Sequence, residues 1–170
     1  LISDIFCMGG RKMQNHSGQN RLSEYNDIIK ENDNLYRGLA KNLGLSECAF
    51  WILYVLRADN AVLTQSEICE VLYQAKQTVN SALKNLEAQG SIELLYVCGH
   101  RGKQIRLTKQ GLALAERTVD KVIAAEHNAL LALTDVEQQA FIGLFRKYTH
   151  ALKDQMRDLE KKECGDNCKP

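Results

Sequence analysis

Residues 64–111 constrain this chain more than any other stretch, because a short helix, a tight turn and a second helix run directly into an alternating hairpin. Thr64 is followed three residues later by Glu67, the spacing of a capping box that closes the free amides of a first helical turn. Ile68, Val71 and Leu72 then fall on one face of that helix. After the turn Tyr73-Gln74-Ala75, Val79, Leu83 and Leu86 recur at helical spacing and Ala82 widens the stripe. The second helix is expected to pack on the first through that face, and Gly90 marks its stop. From Ser91 the period changes. Ile92, Leu94 and Tyr96 alternate with Ser91 and Glu93; after Gly99-His100-Arg101-Gly102, Ile105 and Leu107 alternate with Gln104 and Arg106. Two strands joined by a short basic tip follow from that change.

The outward face of the second helix carries Lys76, Gln77, Asn80, Ser81, Lys84 and Asn85, with no large apolar residue among them. Gln and Asn side chains pair bidentately with adenine edges and Lys neutralises phosphate, so such a face suits a major groove. Gln77, Asn80 and Ser81 are expected to read bases. Thr78, at the front of the helix, reaches a phosphate or a base edge, and Lys76 and Lys84 contact the DNA backbone. Arg101 at the hairpin tip is long enough to enter a minor groove, where the negative potential is deepest, and Lys103 is expected on the phosphates. A polar helix face or a charged loop would each be ordinary alone. Their adjacency points to nucleic acid.

The segments KQTVNSALKNLEAQGSI and RGKQIRLTKQG resemble the multiple-antibiotic-resistance repressor (MarR) family of winged-helix transcriptional regulators, and weaker similarity extends over residues 23–158. The resemblance implies a mainly α fold with a small β-hairpin wing. In it, a winged helix-turn-helix DNA-binding lobe (about 46–110) is joined to a helical dimerisation platform (about 23–43 and 108–159). It carries over Arg101 as the wing arginine. The Asp that usually sits two residues earlier and helps to hold that arginine is replaced here by Gly99. The resemblance also implies small aromatic or phenolic effectors, bound between the DNA lobe and the dimerisation helices.

Outside the central stretch the pattern is helical. Tyr25, Ile28, Ile29, Leu35, Tyr36, Leu39 and Leu43 keep one face from Ser23 to Leu43, and Gly44 stops that helix. Ser46 caps the next, whose Ala49, Phe50, Leu53, Tyr54 and Leu56 form a core run around Trp51. Thr108 begins a long helix through Leu112, Ala115, Val119, Val122, Ile123, Leu130 and Leu131. Thr134 with Glu137 makes a second capping box, followed by a stripe of Phe141, Leu144, Phe145, Tyr148, Leu152, Met156 and Leu159. The first and last helices carry more apolar face than one lobe covers, so a homodimer is expected. Two-fold symmetry would set the recognition helices about one DNA turn, roughly 34 Å, apart on a pseudo-palindromic operator. At 170 residues, 45% of them hydrophobic, the chain suits a single domain over residues 23–159, with tails at 1–22 and 160–170.

A net charge of +1 conceals a local excess: residues 73–110 hold six Lys or Arg against Glu87 and Glu93, a net of +4. Binding to DNA should therefore weaken steeply with salt. No stretch approaches a membrane span, and LISDIF, interrupted by Asp4, makes a poor signal peptide, so a cytoplasmic protein without a membrane partner is expected. Cys7, Cys48, Cys69, Cys98, Cys164 and Cys168 show no CxxC pairing. Some members of the resembling family sense peroxides through a cysteine near the first helix, for which Cys7 is the nearest candidate. Cys48 lies in a first helical turn, where the helix dipole lowers a thiol pKa and burial raises it. Cysteine-based redox regulation is one alternative function, and a winged-helix module that contacts protein instead of DNA is another. His16, His100, His127 and His150 form no metal-ligand spacing with the cysteines. There is no phosphate loop, nucleophile elbow or paired-histidine motif, so neither enzyme activity nor a cofactor or metal is expected.

Overall fold

Glycines close two of the helices in this chain, and Thr–Glu pairs open two others. In a computed structural model, which describes residues 16–58, 62–96 and 102–166, the elements run α1 (His16–Asn42), α2 (Glu47–Ala58), β1 (Leu63–Thr64), α3 (Gln65–Leu72), α4 (Lys76–Ala88), β2 (Ile92–Tyr96), β3 (Lys103–Leu107), α5 (Lys109–Arg117), α6 (Val119–Leu131) and α7 (Asp135–Asp166). At the end of α1, Gly44 adopts φ 71°; its N–H donates to the Lys41 carbonyl and that of Leu45 to the Ala40 carbonyl, both at 3.0 Å. At the end of α4, Gly90 adopts φ 66°; its N–H donates to Glu87 at 2.8 Å and that of Ser91 to Leu86 at 2.9 Å. Both are Schellman closures, which demand a left-handed residue that glycine supplies without a Cβ clash. At the start of α3, Thr64 Oγ1 accepts from the Glu67 N–H at 3.3 Å while Glu67 Oε2 accepts from the Thr64 N–H at 2.7 Å. Thr134 and Glu137 repeat the arrangement before α7 at 3.4 and 2.8 Å. The Thr134 N–H, then its hydroxyl, hold the Glu137 carboxyl below the usual carboxylate range. Ser46 Oγ accepts from the Ala49 N–H at 3.2 Å and so caps α2.

The fold is mainly helical with one antiparallel sheet of order β1-β3-β2, and it divides into two compact units, one ending at Gly111 and the other beginning at Leu112. In the first unit α2 is the central element: Phe50, Ile52, Leu53 and Leu56 are buried with Ile68 of α3, Val79, Ala82, Leu83 and Leu86 of α4, and Ile92 and Ile105 of the sheet. Trp51 stacks obliquely between Tyr36 at 5.0 Å and Tyr54 at 5.3 Å, with Phe50 edge-on at 5.1 Å. Among the described side chains of α1 only Ala40 is buried, whereas Ile28 and Leu35 are exposed. In the second unit Thr118, Val119 and Val122 are buried, and α7 leaves Phe141, Phe145, Leu152, Met156 and Leu159 exposed.

Several expectations need correction. The wing is a three-stranded sheet, because β1 pairs Leu63 with Ile105 and Thr64 with Gln104. Thr64 is extended (φ −82°, ψ 162°) as the cap of α3, so the geometry that caps the helix also completes the sheet. Val71 is 54% exposed, since it lies roughly 60° around the helix from Ile68 and a two-turn helix buries only a narrow line. The helix expected over 108–131 breaks at Thr118 (φ −122°, ψ −82°). Its hydroxyl donates back to the Leu114 carbonyl at 2.6 Å, a bond that bends helices. Finally, α1 begins at His16 and not Ser23, and α7 reaches Asp166, beyond Leu159. Both extensions lack proline, and adding residues to a nucleated helix costs little.

The open end of the β2–β3 ladder meets the start of α5 at Ser91. Its carbonyl accepts from the Thr108 N–H at 3.1 Å, while Thr108 Oγ1 donates to the Gly90 carbonyl at 2.6 Å and accepts from the Gly111 N–H at 3.0 Å. A Cβ on Gly111 would stand 1.8 Å from the Ser91 oxygen. Helix propensity alone predicts that Gly111→Ala stabilises by about 1 kcal/mol. The contact predicts the opposite sign, a loss of at least about 2 kcal/mol, to be read from urea unfolding midpoints of the two proteins.

Candidate nucleic-acid interface

Burial of Val79, Leu83 and Leu86 fixes the rotation of α4 about its axis and turns the other side to solvent. Lys76, Gln77, Thr78, Asn80, Ser81, Lys84 and Asn85 are all exposed there. The structure thus brings seven of the nine sequence-derived candidates onto one helix face. Ala75, the N-cap residue, makes no side-chain cap, and no acidic residue lies in the first turn. The amide end of α4 is therefore open to an acceptor group. Gln65 Nε2 donates to the Lys76 carbonyl at 3.3 Å, tying the first residues of α3 and α4 together. Ser81 Oγ donates to the Gln77 carbonyl at 3.0 Å, so towards a base this hydroxyl presents its lone pairs. Gln77, Thr78, Ser81 and Asn85 line an open groove of about 580 Å³ that is also lined by Cys48 of α2 and its capping residue Ser46. Sequence reading missed that part of the lining, for no local pattern links residue 46 to residue 85.

On the wing, Lys103 is exposed and its Nζ lies 5.0 Å from the centre of the Tyr96 ring. Tyr96, expected to share the apolar side of its strand, is 82% exposed, because β2 outruns the core at that end. Arg106 Nε donates to Glu93 Oε1 at 2.7 Å across the two strands, so one cation of the basic segment is already paired. Arg101 lies with Cys98, Gly99 and His100 outside the described residues.

Cys48 and Cys69 are half-buried free thiols. Burial, then Cys69 and Glu47, push the Cys48 thiol up, so the dipole of α2 does not win there. Cys7 and Cys168 lie outside the described residues, as does the Cys164 side chain. Among the described residues no group of three or more His, Cys, Asp or Glu gathers to hold a metal, and no single helix is long and apolar enough to cross a membrane.

The turn before α4 carries strain. Tyr73 adopts φ 50° and is 87% exposed; a side chain in the left-handed region costs about 1–2 kcal/mol. Allowing for the extra freedom glycine gives the unfolded chain, Tyr73→Gly is expected to raise stability by about 0.5–1 kcal/mol in urea titrations. A loss of stability would mean that the ring itself holds the turn. For Cys48, residue-resolved alkylation should run slower than for a free thiol at pH 8 and keep rising above the ordinary thiol range. A fast plateau near neutrality would restore a reactive thiolate at this position.

The chain matches a MarR family model over residues 43–101. It is 30% identical over 105 residues to the HTH-type transcriptional regulator YwoH of Bacillus subtilis, an alignment covering 62% of this chain and 76% of that protein. In structure it is similar to NMB1585, a MarR family regulator from Neisseria meningitidis, with a TM-score of 0.69, 22% identity, and 81% of this chain and 97% of that one covered. It is likewise similar to MepR of S. aureus in its DNA complex, with a TM-score of 0.64, 22% identity, and coverage of 75% and 93%. The polar helix face beside a three-stranded wing and the sequence relationship agree: this chain belongs to the MarR family of winged-helix transcriptional regulators.

Proposed function

We propose that the protein is a dimeric, sequence-specific DNA-binding repressor in the cytoplasm, released from a pseudo-palindromic operator by a small aromatic or phenolic effector. The observation that carries the DNA reading is the division of α4 into a buried stripe and an exposed face of amides, hydroxyls and lysines. Gln77 and Asn80 have the bidentate amides that adenine edges take. Ser81 accepts from a base donor, and Thr78 and Asn85 flank them. Lys76, Lys84 and Lys103 meet phosphates, and Arg101 enters the minor groove beside the wing. MepR, which is similar in fold, is known in a complex with DNA, and this supports the DNA reading in general.

The dimer reading rests on α7. Phe141 and Phe145 stack at 6.2 Å yet are 52% and 46% exposed, and Leu152, Met156 and Leu159 continue the apolar side. Apolar surface of that extent is a usual mark of an interface. A second copy related by a two-fold axis covers it and sets the recognition helices about one DNA turn apart. An effector then acts by population shift. If it binds better to a dimer whose helix spacing mismatches the operator, DNA affinity falls by that difference in affinity.

The test is fluorescence anisotropy against duplex DNA from upstream of the protein's own gene and against scrambled DNA, each at two salt concentrations. Gln77→Ala, Asn80→Ala and Arg101→Ala are each expected to cost about 1–3 kcal/mol on the selected duplex and much less on the scrambled one, with the dimer intact by light scattering. Lys84→Ala should weaken both duplexes alike and reduce the salt slope by about 1. Normal binding by all three of the first set sinks the groove assignment. Negligible binding of the unaltered protein to either duplex favours a protein-contact module.

A further inference from the structure

We infer that Tyr96 is a positioning residue for DNA binding, acting through Lys103: its ring holds the ammonium in place on the wing before DNA arrives. The inference rests on the reading of Lys103 as a phosphate contact. Tyr96 and Lys103 face each other in the last rung of the β2–β3 ladder, where the apolar side of the hairpin has run past the core. Leu94 and Ile105 precede them on that side, and Ile105 is buried, whereas Tyr96 keeps 82% of its surface in water. A ring so exposed gains little from burial. What it does contact is the Lys103 ammonium, 5.0 Å from its centre, a cation–π distance.

The consequence follows from the chemistry of lysine. Its flexible stem loses rotamer freedom when the ammonium is fixed on a phosphate, and that loss opposes binding. A ring beneath the ammonium takes up part of the loss in the free protein. An ammonium has three donors and the ring face occupies one side of it, so donors on the other side remain for phosphate oxygens. Glu93 and Arg106 form their ion pair at 2.7 Å in a rung with the opposite facing, so it does not compete for Lys103. The pairing requires an aromatic face at position 96 and does not use the phenolic hydroxyl.

A phosphate contact is sequence-independent, so the experiment uses the full chain and a mixed-sequence duplex of about three helical turns, with affinities measured over a range of salt. Tyr96→Leu is expected to weaken binding about three-fold without changing the salt slope. Tyr96→Phe, which keeps the ring, should bind like the unaltered protein. Lys103→Ala should weaken binding and lower the slope by about 1. In the Lys103→Ala background, Tyr96→Leu should then have no further effect. If Lys103→Ala weakens binding while Tyr96→Leu is silent, or if Tyr96→Leu weakens both backgrounds equally, the positioning role is overturned and the phosphate contact stands. If Lys103→Ala changes neither affinity nor slope, the phosphate reading itself is wrong and the inference falls with it.

Discussion

The rotational setting of α4 decides which of its side chains face solvent, and the candidate interface depends on it. Val79, Leu83 and Leu86 are all buried, and full burial of such side chains is worth about 1.5–3 kcal/mol each. Turning the helix by half a revolution would forfeit most of that and would bury lysines and amides without partners. The polar face is therefore held outward by the core. Because α2 supplies the opposing surface, Phe50, Ile52, Leu53 and Leu56 support the candidate interface as much as the residues that compose it.

Charge is placed economically. The total is +1, yet residues 73–110 gather six basic side chains against two acidic ones. Within that excess Arg106 is drawn into an ion pair with Glu93, an exposed pair of modest worth that offsets one of the six positive charges. A moderate local field attracts a polyanion without making the whole surface adhesive. On the DNA reading proposed above, discrimination then falls to amide and hydroxyl geometry.

Local signals were legible in the sequence and long-range ones were not. The two Thr–Glu boxes, the Ser46 cap and the glycine stops at 44 and 90 each follow from residues within a few positions of one another, and each is present in the structure. The stripe of α4, and with it most of the candidate site, was readable for the same reason. A two-residue strand has no period, so β1 is invisible until Ile105 is known to lie beside Leu63. The break at Thr118 depends on a hydroxyl choosing a backbone acceptor one turn back, which many threonines in helices do without ending them. Tyr96 matched the apolar alternation, but alternation cannot show where a strand outruns its core. The share of Ser46 and Cys48 in the groove along α4 is set by how α2 packs, which no spacing encodes.

One carbonyl joins the parts that would touch DNA. The Ser91 N–H closes the end of α4 on Leu86, while the Ser91 oxygen takes the Thr108 N–H and sits where any side chain at 111 would have to go. The end of α4 and the open end of the hairpin are thus joined at a single residue, beside which position 111 has no room for a methyl group. On the DNA reading proposed above, α4 and the strands of the hairpin are presented in fixed phase. Exchange of side chains on α4 or on the strands then changes what the surface offers a partner, whereas the offset between helix and hairpin stays with the backbone at Ser91.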